Sequence, residues 1–224
     1  MKFAVLISGN GSNLQAIIDA VKRGEIKAEL GLVVSSNHNA YGLKRAEAAG
    51  IKTKVFSAKD YTNRQSVDRD MIICLKEEGI DFIVLAGYMR LLTPYFIKHY
   101  PQKILNVHPS LLPSFKGIVG IKDAFTYGVK ITGVTIHYVD DKMDHGPIIA
   151  QETVRVAEDD TLETLTEKVH RTEHRVYPKA IALFVENRLK IKGRKVKTLD
   201  KPAPVEEAAP PAPAADTAPP AEKT

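Results

Sequence analysis

The sequence predicts an α/β fold with a doubly wound, mostly parallel sheet and an antiparallel extension at one edge. Apolar runs of five or six residues alternate with longer segments of helical period, and this alternation is typical of strands joined by crossover helices. Such crossovers imply parallel pairing with both faces of the sheet covered. Two later apolar runs are separated only by a short acidic turn, which favours antiparallel pairing.

The elements follow from these patterns in chain order. Strands are predicted near residues 2–7, 30–35, 81–85 and 103–107, and helices near 12–22, 41–49, 62–78 and 161–186. The antiparallel pair is predicted at 131–139 and 148–156. The apolar start of the chain runs directly into a glycine-containing loop and shows no cleavage site, so it is interpreted as a first strand rather than a signal peptide. In a doubly wound sheet, ligands are expected at the carboxyl ends of the strands.

Composition limits the class of protein. The 224 residues are 44% hydrophobic and 26% charged, as in ordinary globular proteins, and no apolar run approaches the ~20 residues that span a bilayer. The single cysteine, Cys74, lies in an apolar helical stretch; it excludes an intramolecular disulfide and indicates a reducing cytoplasm. We expect Cys74 to pack in the core rather than to act as a nucleophile.

Two regions differ in composition and charge. We predict one domain over residues 1–195 and a disordered tail over 200–224, because the last 25 residues hold seven prolines and eight alanines. The tail carries five acidic and two basic residues, which leaves a net charge of +8 on the rest of a chain whose total is +5. A basic domain suits anionic small molecules. Nucleic acid is not expected, because no Lys/Arg block is interleaved with aromatic residues.

Asn106 and His108 are the strongest candidates for catalysis. They lie two residues apart in the predicted strand that ends at Pro109, so both side chains project from one face. An amide can donate to an oxyanion, and an imidazole titrates near neutral pH, so the pair suits acyl transfer. Asp144, in the acidic turn, could orient His108 and favour its protonated form. Alternatively, Asn106 caps a turn, His108 is a core histidine and Asp144 is a solvated loop acid.

A glycine-containing loop follows the first strand and is a candidate anion site. In Ser8-Gly9-Asn10-Gly11-Ser12-Asn13, the glycines let backbone N–H groups approach a phosphate, and Ser12 and Asn13 are expected to cap the next helix. A dinucleotide fingerprint would need glycine where Leu14 stands, so that motif fails. A plain β–α turn is the alternative.

Two histidines four residues apart could hold a metal. His170 and His174 have this spacing on a predicted helix, but no third ligand follows at a suggestive distance. We therefore predict no metal site.

Several motifs together resemble one family. Asn106 to Pro113 and Asp144 to Pro147 resemble the signature of the folate-dependent formyltransferases. The runs Ile7 to Gln15, Leu85 to Leu92 and Glu173-His174 with Tyr177-Pro178 are similar to the branch that acts in de novo purine synthesis, the phosphoribosylglycinamide formyltransferases. The resemblance covers roughly residues 1–195. Ile118, Val119 and Ile121 depart from it, because the family commonly has polar residues there.

The resemblance implies a reaction and a set of residues. The reaction is transfer of the formyl group of 10-formyltetrahydrofolate, a co-substrate rather than a tightly bound cofactor, to the glycine amine of glycinamide ribonucleotide. A formyltransferase for another amine and a non-catalytic nucleotide-binding module are the alternatives. The expected partners are these small molecules only, without nucleic acid or membrane. The implied residues are, for catalysis, Asn106, His108 and Asp144; for the ribotide, Gly11, Ser12, Asn13 and Glu173; and for the folate, Arg64, Met89, Arg90, Leu91, Leu92, Asn106 and Asp140.

Overall fold

The computed structural model describes residues 1–200, and within them a single sheet of nine strands carries helices on both faces. The strands are β1 Lys2–Ile7, β2 Glu29–Ser35, β3 Thr53–Val55, β4 Phe82–Leu85, β5 Ile104–His108, β6 Ile131–Tyr138, β7 Ile148–Arg155, β8 Leu189–Lys192 and β9 Lys195–Thr198. The helices are α1 Ser12–Lys22, α2 Tyr41–Ala48, α3 Arg64–Glu77, α4 Pro94–His99, α5 Gly120–Tyr127 and α6 Leu162–Val185, with a short 3₁₀ helix at Ala58–Asp60.

The order of the strands across the sheet is β3-β2-β1-β4-β5-β6-β7-β9-β8. The first five in this order pair in parallel, and β6 pairs antiparallel with both β5 and β7. The doubly wound, mostly parallel prediction with an antiparallel extension is therefore confirmed. The direction of winding reverses between β1 and β4, and a sheet of this kind binds ligands at such a switch point.

The extension at this side of the sheet contains two more strands than the predicted antiparallel pair. The hairpin of β8 and β9 continues it, with β9 parallel to β7 and β8 outermost. Its strands are only four residues long and rich in lysine, so they lack the apolar run by which a strand is recognised in a sequence. Exposed lysines also discourage edge-to-edge aggregation of an outer strand. Strand structure reaches Thr198, three residues past the predicted end of the domain at residue 195. The predicted tail lies, from residue 201 onward, outside the described residues.

Alternation along the buried strands divides the core into two layers. In β1, Phe3, Val5 and Ile7 face α1, α2 and α6, whereas Ala4 and Leu6 face α3 and α4. Each of these five side chains has no exposed surface, as expected of a parallel strand covered on both faces.

Tyr177 of α6 fixes the carboxyl ends of two neighbouring strands. Its ring is fully buried, and its hydroxyl lies 2.9 Å from the carbonyl oxygen of Leu85 and 3.0 Å from that of Leu105, so its single hydrogen is shared between them. Leu85 ends β4, and Leu105 directly precedes Asn106. A buried phenol requires such acceptors. The contact therefore ties the long helix to the strand that carries the two strongest candidate residues.

Candidate active site

A cleft of about 760 Å³ opens at the carboxyl ends of the parallel strands β4 and β5, beside the loop that follows β6. Its walls come from the segment after β4, from the end of β5 and from the loop between β6 and β7. All the residues expected for catalysis and for the folate lie on these walls: Arg64, Met89, Arg90, Leu91, Leu92, Asn106, His108, Asp140 and Asp144.

Asn106 contacts a histidine that the sequence analysis did not single out. Asn106 and His137 are directly opposed in the β5–β6 ladder, and the Asn106 Nδ2 lies 3.1 Å from the His137 Nε2. The His137 Nδ1 lies 2.7 Å from the carbonyl oxygen of Tyr138, which can only accept, so Nδ1 carries the hydrogen. Burial lowers the pKa of His137. A neutral ring therefore accepts from Asn106 and fixes the direction of its amide.

His108 is held at both ring nitrogens. Its Nε2 donates to the carbonyl oxygen of Phe115 at 2.8 Å, and its Nδ1 lies 3.4 Å from the Asp144 Oδ2. The backbone N–H of Gly117 donates to the same carboxylate oxygen at 2.8 Å. His108 is only 3% exposed, so the carboxylate acts on its ring with little screening by water.

Asp144 reaches His108 from a strained backbone. Its φ is 48°, in the left-handed region that non-glycine residues rarely adopt. The side chain also approaches His137, with 3.9 Å between the His137 Nε2 and the Asp144 Oδ1. The structure thus brings together the three residues expected for catalysis and adds His137 to them. The sequence held one signal for His137: a polar side chain in an apolar strand, on the partner strand of Asn106.

The residues expected for the folate occupy two walls. Met89 and Leu91 are 63% and 55% exposed and present apolar surface to the cleft. Asp140 accepts from the Lys142 backbone N–H at 3.1 Å and lies 2.7 Å from the His145 Nδ1. Arg64 is the first residue of α3. The Arg90 guanidinium turns inward instead and donates to the carbonyl oxygen of Phe56 at 3.2 Å.

The residues expected for the ribotide form a second group at the start of α1. The helix begins after Gly11, whose φ is 75°, and no side chain caps it, so the predicted capping by Ser12 and Asn13 is wrong. The reason is that Gly11 itself occupies the N-cap position, so Ser12 and Asn13 are already the first two residues of the helix. The Asn13 amide nitrogen donates to the Glu173 Oε2 at 2.8 Å.

Glu173 lies on α6 and is only 3% exposed, so it is not a surface carboxylate. The His170 Nδ1 lies 2.8 Å from the Glu173 Oε2, and this hydrogen bond raises the pKa of His170. Burial lowers the pKa of His174, whose Nε2 is buried and has no hydrogen-bond partner among residues 1–200. The two histidines therefore differ: one pairs with a carboxylate and the other stays neutral.

Neither a metal-binding cluster nor a membrane-spanning helix occurs within residues 1–200. No cluster of three or more His, Cys, Asp or Glu side chains has an arrangement that could hold a metal ion in this part of the chain. None of the helices in the same part combines the length and the apolar character needed to cross a membrane.

Comparison with known proteins identifies the class to which this fold and site belong. A family model described as formyl transferase matches residues 1–181. The chain therefore belongs to the formyl transferase family.

Individual relatives show to which branch of the formyl transferase family the chain is similar. The chain is 44% identical over 180 residues to a phosphoribosylglycinamide formyltransferase of Bacillus subtilis, covering 80% of this chain and 92% of that protein. It is 43% identical over 191 residues to the protein of that name from Escherichia coli, covering 85% and 90%. A crystal structure of glycinamide ribonucleotide transformylase 1 from Symbiobacterium toebii superposes with a TM-score of 0.87 at 44% identity, covering 89% of this chain and 94% of that one. The predicted branch, phosphoribosylglycinamide formyltransferase, is confirmed.

Proposed function

We propose that this enzyme transfers the formyl group of 10-formyltetrahydrofolate to the glycine amine of glycinamide ribonucleotide, a step of de novo purine biosynthesis. One observation carries the assignment of the chemistry: Asn106, His108 and Asp144 meet in one cleft at the end of β5. The relatives named for this reaction support the choice of acceptor over another amine, and the acid–base groups support an enzyme over a nucleotide-binding module.

The reaction begins with attack by the uncharged amine. A bond forms between the amine nitrogen and the formyl carbon, and the carbonyl oxygen becomes an oxyanion. One N–H of the Asn106 amide is directed to His137, which leaves the second available to the oxyanion. Because His137 is neutral and its Nε2 accepts from Asn106, it holds the donor in place without adding a competing charge.

His108 supplies the second group. The Asp144 carboxylate beside Nδ1 stabilises positive charge on the ring, so a protonated His108 can stabilise the oxyanion. The Nε2–H of His108 is engaged by the Phe115 carbonyl, and it must leave this acceptor to donate to a substrate atom. Collapse of the intermediate breaks the bond to the folate nitrogen, and the proton lost by the amine reaches that nitrogen through His108 or a water molecule.

The two substrates are assigned to the two groups of residues. The ribotide phosphate binds the backbone at Gly11, Ser12 and Asn13, and Glu173 binds the ribose. The folate binds the walls formed by Arg64, Met89 to Leu92 and Asp140. The folate is a co-substrate that leaves as tetrahydrofolate, so the proposed reaction uses no tightly bound cofactor, and its partners are these two small molecules. We place the reaction in the cytoplasm, in agreement with a single cysteine.

The test is a substrate-dependence assay on purified protein. We expect tetrahydrofolate and formylated ribotide to form in equal amounts, and only when both substrates are present. Methionyl-tRNA and an amino sugar nucleotide serve as alternative acceptors. Release of tetrahydrofolate with either alternative acceptor, and none with glycinamide ribonucleotide, would refute the proposal.

A further inference from the structure

The segment from Ala86 to Thr93 walls the cleft without regular secondary structure. It joins β4 to α4, and its side chains at Met89 and Leu91 are 63% and 55% exposed. Side chains that face the cleft to this extent bury little surface of their own. The position of the wall therefore depends on contacts made by its backbone and by its inward side chains.

The start of this segment is attached to the loop after β1. The Ser8 backbone N–H donates to the carbonyl oxygen of Gly87 at 3.0 Å, and the Ser8 Oγ accepts from the Met89 backbone N–H at 2.8 Å. The Ser8 Oγ also lies 2.6 Å from the Ser36 Oγ, at the end of β2. Ser8, which is itself held by Ser36, thus fixes the first half of the wall.

The end of the segment depends on one buried carboxylate. Asp68, on α3, is only 1% exposed, and its Oδ2 accepts from the Thr93 backbone N–H at 2.7 Å. Its other oxygen, Oδ1, has no hydrogen-bond partner among residues 1–200 and lies 4.0 Å from the Arg90 Nη2, which has none there either. Two opposite charges therefore face each other behind the wall.

Removing one member of such a pair leaves the other buried and uncompensated, which is strongly unfavourable. The Arg90 guanidinium is also held by the Phe56 carbonyl, so it cannot turn to water without giving up that hydrogen bond as well. Tyr88 is part of the same environment, because its pKa is raised to about 12, chiefly by burial, while Arg90 lowers this pKa and Asp68 raises it. The wall and the carboxylate are thus energetically linked.

We propose that Asp68 is a positioning residue for folate binding, which acts through Thr93 and Arg90 and does not touch the ligand. The inference rests on the proposed function, since it assigns the wall to the folate. Loss of the carboxylate frees Thr93 and releases Arg90, and the wall then samples positions that do not bind the folate ring. The ribotide group at α1 makes no contact with Asp68 and should be unaffected.

Asp68→Ala and Asp68→Asn separate the two contacts. The asparagine variant keeps an acceptor for Thr93 but removes the charge opposite Arg90, so its effect should be intermediate. We expect Asp68→Ala to raise KM for the folate about tenfold, as for loss of a buried charge-assisted contact, with kcat and the ribotide KM changed less than about twofold. Asp70→Asn is the matched control, because Asp70 lies on the same helix and, within residues 1–200, pairs only with Arg69 at the surface, at 3.4 Å.

A second measurement does not depend on the reaction. Hydrogen exchange of the ligand-free protein should show faster exchange for residues 86–93 in both Asp68 variants than in the wild type and Asp70→Asn. The dissociation constant of a stable 10-formyl folate analogue, titrated without ribotide, should rise in parallel. These two results stand even if the wild type does not formylate the ribotide, so failure of the proposed function is distinguished from failure of this inference.

Two outcomes would overturn the proposal. Unchanged exchange at 86–93 in a folded Asp68→Ala variant would show that the wall does not need the carboxylate. Equal increases in both KM values, together with faster exchange throughout the protein, would show a general role in stability. If Asp68→Ala does not fold, the same comparison is made with Asp68→Asn.

Discussion

Substitution of Gly11 by alanine should be strongly destabilising for two reasons that the structure makes specific. Gly11 has φ 75° and ψ 30°, a left-handed conformation at the start of α1. A Cβ atom there would lie 2.7 Å from the Cα of Gly42, at the start of α2. The obstructing atom belongs to the backbone, so no side-chain rotation can make room, and one of the two helices must move.

The expected loss of stability is the sum of a conformational cost and a packing cost. A left-handed conformation costs an alanine about 1 kcal/mol. Displacement of a packed backbone costs about 2 kcal/mol, within the range for overpacked sites. The sum of about 3 kcal/mol corresponds to a fall in Tm of roughly 6–12 °C for a domain of this size.

Gly9→Ala is the matched control. Gly9 lies in the same loop, and a Cβ atom there would meet nothing within 4 Å. Thermal unfolding followed by circular dichroism should therefore show a large loss for Gly11→Ala and a change within about 2 °C for Gly9→Ala. Equal Tm values for the two variants would refute the packing argument. In Gly11→Ala, KM for the ribotide should also rise more than KM for the folate, because the displaced backbone belongs to the ribotide group.

Three further predictions concern the chemistry and its pH dependence. Asn106→Ala, His108→Ala and Asp144→Ala should each lower kcat at least about tenfold, with non-additive losses in the double variants, because the residues act as one unit; near-normal kcat in His108→Ala would contradict the assignment. Because the folded-state pKa of His170 is raised, its stabilising pair with Glu173 is fully present below about pH 6.5 and is lost as pH rises through the raised value. His170→Asn should therefore lower Tm more at pH 6 than at pH 8.5, and a loss independent of pH would rule this out. Turnover should need neither ATP nor added metal, and inactivation by exhaustive chelation would contradict the proposed mechanism.

Local patterns in the sequence were sufficient to predict the longer helices and strands of the fold. Helices α1 and α3, predicted at 12–22 and 62–78, occur at Ser12–Lys22 and Arg64–Glu77, since each has a long segment of helical period. The shortest elements were not predicted. Strand β3 has three residues, and α4 begins with a proline after its Thr93 cap and has only six. Such elements are stabilised by neighbours distant in the sequence rather than by their own pattern.

For the candidate site, too, local features could be predicted from the sequence and long-range contacts could not. The sequence alone determined that Asn106 and His108 project from one face, because alternation in a strand is a local property. Only the tertiary structure decided that His137 fixes the Asn106 amide, through the register of two antiparallel strands. It also decided that position 11 must be glycine because a Cβ atom there would meet Gly42, and that Asp68 lies behind the wall formed by residues 86–93. These relations join residues far apart in the chain, and their energies depend on burial, which arises only when the sheet and its two helical layers are assembled.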